Sequence, residues 1–99
     1  MQIATREGDS GTELWVKGRL DAARAAAFDE ALQEIAAKRP SSLVVRMKEV
    51  DFLSSPAIAA LLRCCQTVRA QEGAFAVLEP SDAVRSTLRI VGLLELIRD

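Results

Sequence analysis

The feature that most restricts the fold is a repeated change of hydrophobic period. The segment "TELWVKGRL" alternates, with Leu14, Val16, Gly18 and Leu20 projecting one way and Trp15, Lys17 and Arg19 the other, which is the pattern of a strand with one covered face. The next segment, "AARAAAFDEALQEIAAKR", switches to helical spacing, with Ala25, Phe28, Leu32 and Ile35 as its inner stripe. "SLVVRM" is then a continuous apolar run, as expected of a central strand covered on both faces, "AFAVL" is another buried strand, and each is followed by another stretch of helical spacing. Strands separated by helices in this way require parallel pairing through right-handed crossovers. The start differs: Ile3 and Ala4 precede the turn cluster "EGDSG", which predicts an antiparallel hairpin. The expected order is β, β, α, β, α, β, α, with "LLELI" supplying a short last strand. This is an α/β fold, a mixed sheet of four to five strands with three main helices packed against it.

The boundaries follow from local chemistry. Asp21 has the side chain of an N-cap and Pro40 stops the first helix. The second helix is expected from 56 to 72, with Ile58, Leu61, Leu62, Cys65 and Val68 at its apolar positions and Gly73 as a left-handed stop. Ser81 opens the third helix and Gly92 closes it, with Val84, Leu88 and Val91 turned inward. Residues 50–56 form the loop between the central strand and the second helix.

With 99 residues, 49% of them hydrophobic and 27% charged, residues 1–99 are expected to be a single domain with one core. A net charge of -1 with no basic block argues against nucleic acid as a partner, and no apolar run reaches the length of a membrane span. Residues 1–12 are polar rather than signal-like, so a cytoplasmic protein without membrane insertion is expected. The chain has no histidine, and its two cysteines, Cys64 and Cys65, are adjacent in a helix, where a disulfide between them would be strained. No metal set, no cofactor and no enzyme activity are therefore expected; the usual base for a serine nucleophile is missing.

The junction "VDFLSSPAIAALL" holds the candidate site. Proline favours the first helical turn and pushes its predecessor to extended angles, so Ser55 suits an N-cap that accepts the amide of Ala57 or Ile58. Its hydroxyl also suits a modification that would place negative charge at a helix start. Both readings stand on residue types alone.

This stretch resembles the "F-x-D-S-S/T-G-L-G" motif of STAS domains, the bacterial anti-sigma factor antagonists and their relatives. "GRLDAARAAAF" is similar to that family's turn into its first helix, "SLVVRMKEVDF" to its central strand, and "LRIVGLLELI" to its closing helix and strand. The resemblance implies that Ser55 is the phosphorylated serine. It implies a partner surface made of Phe52, Leu53, Ser54, Ser55, Pro56, Ala57, Ala59, Ala60 and Arg63. The partner it implies is an anti-sigma factor serine kinase with a histidine-kinase-like ATPase fold, released when Ser55 is phosphorylated, and a phosphoserine phosphatase would reset the switch. The motif departs from the family's at Ser54, where aspartate is usual, at Pro56, and at Ala57 and Ala59, where glycines are usual. Those departures suit a second reading, a STAS subunit that is never phosphorylated and docks permanently in a stressosome-like scaffold or an ABC lipid transporter. A small-ligand site at the same helix start, for a nucleotide, is a third reading, but "SSPA" lacks the glycines and lysine of a phosphate cradle.

Trp15, the only tryptophan, is expected on the outer side of its strand, either anchoring a partner or covered by the N-terminal strand or a helix. Arg46, Lys48 and Glu49 read as a solvated strand end.

Overall fold

The computed structural model describes residues 1–98. Strands β1 (Gln2–Gly8) and β2 (Gly11–Leu20) form the expected hairpin, with Ile3 opposite Val16 and Gly8 opposite Gly11. Helix α1 (Ala22–Ala37) leads to β3 (Ser42–Leu53), α2 (Ser55–Ala70), β4 (Ala74–Leu78) and α3 (Asp82–Ile90). "LLELI" divides into a single 3-10 turn, Leu94–Leu96, and a two-residue strand β5, Ile97–Arg98. The sheet runs in the order β1-β2-β3-β4-β5, antiparallel only at the hairpin, so the mixed α/β architecture stands.

That order decides where the helices lie. From β2 to β5 every crossover steps to the next strand in the same direction, and right-handed connections of that kind put each helix on the same face of the sheet. Leu14, Val45 and Val77 line this face together with Phe28 and Leu32 of α1, Leu61 and Val68 of α2, and Val84 and Leu88 of α3. Full burial of side chains such as Phe28 contributes roughly 1.5–3 kcal/mol each. The inner stripe of α1 is as expected. On α2 the buried residues are Ala57, Ala60, Leu61, Cys64, Cys65 and Val68, so the stripe is turned slightly from the expected one and Ile58 and Leu62 are only half-buried. Both cysteines are reduced and buried, and Cys64 packs against α1 with its Sγ 3.8 Å from the Leu32 carbonyl.

Four expectations are corrected. β3 continues to Leu53, because residues up to that point pair with β2 (Phe52 with Arg19, Leu53 with Leu20), and the loop of residues 50–56 shrinks to Ser54 alone. The left-handed residue after α2 is Glu72, at φ 67°; Gly73 is required instead for close approach, since a Cβ there would lie 2.7 Å from the Pro40 carbonyl oxygen. Val91 is exposed, because α3 ends at Ile90 and Gly92, at φ 77°, turns the chain away. Finally, β3 is central but has helices on one face only. No helix among the described residues is long and apolar enough to cross a membrane.

Candidate functional site

The candidate site forms where β3 runs into α2. The Ser54 amide donates to the Leu20 carbonyl at 2.9 Å, which ties the end of β3 to the end of β2. Ser54 then takes extended angles (φ -74°, ψ 163°), its carbonyl accepts the Ile58 amide at 2.9 Å, and its hydroxyl oxygen accepts the Ala57 amide at 3.4 Å. These are the features of an N-cap. Ser54, not Ser55, is therefore the cap, and the expected assignment is corrected. Ser54 is 9% exposed. With the cap one residue earlier, Pro56 falls at the second helical position, still within the first turn where its missing N–H is tolerated.

Ser55 is consequently free of structural duty. It occupies the first helical position, is exposed, and its hydroxyl makes no hydrogen bond among the described residues. A negative charge added there would meet the positive end of a 16-residue helix with no acidic side chain in its first turn. Only one amide remains to hold it: Pro56 has none and that of Ala57 is taken by Ser54.

The proposed partner residues divide by burial. Phe52, Ser55, Pro56 and Arg63 are exposed and Ala59 is half-buried, with Ser55, Ala59 and Arg63 spaced four residues apart along one side of α2. Leu53, Ala57 and Ala60 point into the core and cannot offer side chains to a partner; they are withdrawn from the surface, as is the buried Ser54. Two neighbours were not foreseen. The Arg19 guanidinium stacks 4.1 Å from the Phe52 ring centroid, and Arg63 is held by Asp29 of α1 at 3.1 Å. Both contacts depend on strand register and helix packing, which a local motif does not carry. Asp21 caps α1 as expected and pairs with Arg24 at 2.7 Å.

The sequence matches the STAS domain family over residues 2–98. The chain belongs to that family. The anti-sigma-F factor antagonist RsfB of Mycobacterium tuberculosis is 30% identical over 80 residues, a match that spans 81% of this chain and 65% of that relative. Among solved structures, an anti-sigma factor antagonist from Mycobacterium paratuberculosis superposes with a TM-score of 0.86 at 23% identity, covering 97% of this chain and 81% of that one. The anti-sigma factor antagonist SpoIIAA in its unphosphorylated form gives 0.84 at 16% identity, covering 99% and 87%. The phosphorylated form of the Bacillus SpoIIAA gives 0.78 at 15% identity, covering 99% and 90%. These likenesses confirm the STAS fold of the chain.

Proposed function

We propose that this STAS domain is a cytoplasmic anti-sigma factor antagonist. Its partner is an anti-sigma serine kinase of histidine-kinase-like ATPase fold, it is switched off by phosphorylation of Ser55, and it is reset by a phosphoserine phosphatase. The observation that carries the reading is the division of labour at the junction: Ser54 holds the helix, which leaves Ser55 an exposed hydroxyl with no bond among the described residues. The names of the relatives support the antagonist role. The docking surface then centres on Phe52, Ser55, Pro56, Ala59 and Arg63.

The physics of such a switch is direct. A phosphate adds about -1.5 to -2 charges, and a partner carboxylate some ~6 Å away would be repelled by roughly 4–6 kcal/mol at an effective dielectric of about 20. Solvent screening reduces this, yet even about 3 kcal/mol is more than a hundredfold in affinity. The permanent-subunit reading has one observation in its favour, the single amide left to hold a phosphate beside Pro56. Intact mass after incubation with the kinase and ATP separates the two. The switch requires a gain of one phosphate that Ser55→Ala abolishes, together with weaker kinase binding by Ser55→Asp than by Ser55→Ala. Equal binding by the two variants would remove the charge switch.

A further inference from the structure

Among the described residues, no element covers the face of the sheet opposite the helices, because all three crossovers place their helices on the other side. It is not an ordinary solvated face. Three cross-strand pairs lie along it, with a register shift between each and the next: Trp15 with Arg46, whose guanidinium lies 4.8 Å from the ring centroid, Lys17 with Glu49 at 4.0 Å, and Arg19 with Phe52. Arg46 is fixed by Glu13 at 3.0 Å and by Glu79 at 2.6 Å, and this contact holds Glu13 below the ordinary carboxylate range. Trp15 is thus a rigid ridge that remains 47% exposed. A concavity of about 540 Å³ is lined by Trp15 and Arg46, and a second, of about 530 Å³, is lined by Arg46 with Arg6, Glu13 and Arg98.

Charge indicates the occupant. The side chains lining the two concavities include five cations and three carboxylates, a balance of +2, in a chain whose net charge is -1, so the rest of the chain carries -3. The three carboxylates, Glu13, Glu49 and Glu79, are all in ion pairs on the face itself. Arg6, Lys48 and Arg98 make no ion pair among the described residues; Arg6 acts on Glu13 only at longer range. Among the described residues, the lining of the two concavities therefore offers an aromatic anchor and three cations outside any ion pair, with every carboxylate of the lining already paired. We propose that this bare sheet face is a second docking surface, for an acidic polypeptide segment of a partner protein that seats apolar side chains on Trp15 and carboxylates on Arg6, Lys48 and Arg98.

Two other occupants fit less well. A second copy of the chain would bring two faces of +2 together. A nucleic acid or an anionic membrane would be met by the field of a chain whose overall charge is -1, whereas a short segment senses only the local +2. Ser55 lines neither concavity, and the face meets the first docking surface at Phe52.

Trp15 supplies its own readout, since the chain has one tryptophan and no tyrosine. The experiment titrates the whole chain with a short end-blocked peptide that alternates glutamate and leucine, following tryptophan emission. The expected result is a saturable change that weakens as salt is raised. In the double variant Arg6→Glu, Arg98→Glu the affinity should fall roughly tenfold, given the modest value of each exposed pair. Lys48→Glu is the second variant should the double variant melt early, and should weaken binding in the same direction. The proposal is overturned by no saturable response at millimolar peptide, by an equal response to the same peptide with lysine in place of glutamate, or by tighter binding of a single-stranded oligonucleotide or of anionic vesicles than of the peptide.

Discussion

Replacing Ser54 by alanine tests the junction at its root. The substitution removes the only side-chain acceptor for the Ala57 amide and leaves that amide at a buried position without a partner. Loss of an N-cap is worth about 1 kcal/mol, and an orphaned buried donor raises the figure. The bond is long, at 3.4 Å, which keeps the total near the low end, about 1–1.5 kcal/mol. The backbone bonds of Ser54 to Leu20 and Ile58 survive the change, so nothing larger is expected. For a chain of this size that loss lowers the melting temperature by about 4–8 °C or somewhat more. Ser55→Ala, at an exposed helical position whose hydroxyl bonds to nothing among the described residues, should stay within about 0.5 kcal/mol of the parent.

Thermal melts followed by circular dichroism, with urea titrations to check that the m-value is unchanged, read both variants on one scale. Equal losses, or a larger loss for Ser55→Ala, would show that the cap is shared or belongs to Ser55. The separation of a structural serine from a modifiable one would then fail, and with it the main support for Ser55 as a switch.

Two further outcomes follow from the packing. Gly73→Ala should destabilise by roughly 1–3 kcal/mol in urea, because its Cβ would meet the Pro40 carbonyl oxygen at 2.7 Å and Val68 Cγ1 at 2.9 Å; a neutral result would mean that the β4 entry shifts freely. Burial pushes the Cys64 thiol from 9.0 up to about 12 and raises that of Cys65 as well, so a thiol reagent at pH 8 should modify neither cysteine until denaturant is added. Between pH 9 and about 12 the unfolded chain gives up the Cys64 proton while the folded one keeps it, so this group's contribution makes stability fall as pH rises through that window. Fast labelling of native protein at pH 8 would contradict the buried packing of α2 on α1.

What could be read from the sequence was whatever depends on neighbours along the chain. The alternation in β2 separates Leu14 and Val16 from Trp15, the stripe from Ala25 to Ile35 faces the core, and Asp21 and Ser81 cap their helices, because each of these is decided within a turn or two of the residue concerned. The junction at residue 54 was misread for the opposite reason. β3 extends to Leu53, and Ser54 becomes the cap, through pairing with Arg19 and Leu20, residues more than thirty positions away. With two adjacent serines before a proline, local chemistry permits either to cap, and only the strand register chooses. Trp15 shows the same limit from the other side. Its period marks it as outward-facing, but whether outward means covered or bare is set by the sense in which three successive crossovers turn, a property of the whole topology. The residues that pack the core follow local rules, whereas both candidate surfaces, around Ser55 and around Trp15, exist only because distant strands align. The motif therefore points to Ser55 for the first of them while leaving the helix cap one residue out of place, and it carries nothing about the second.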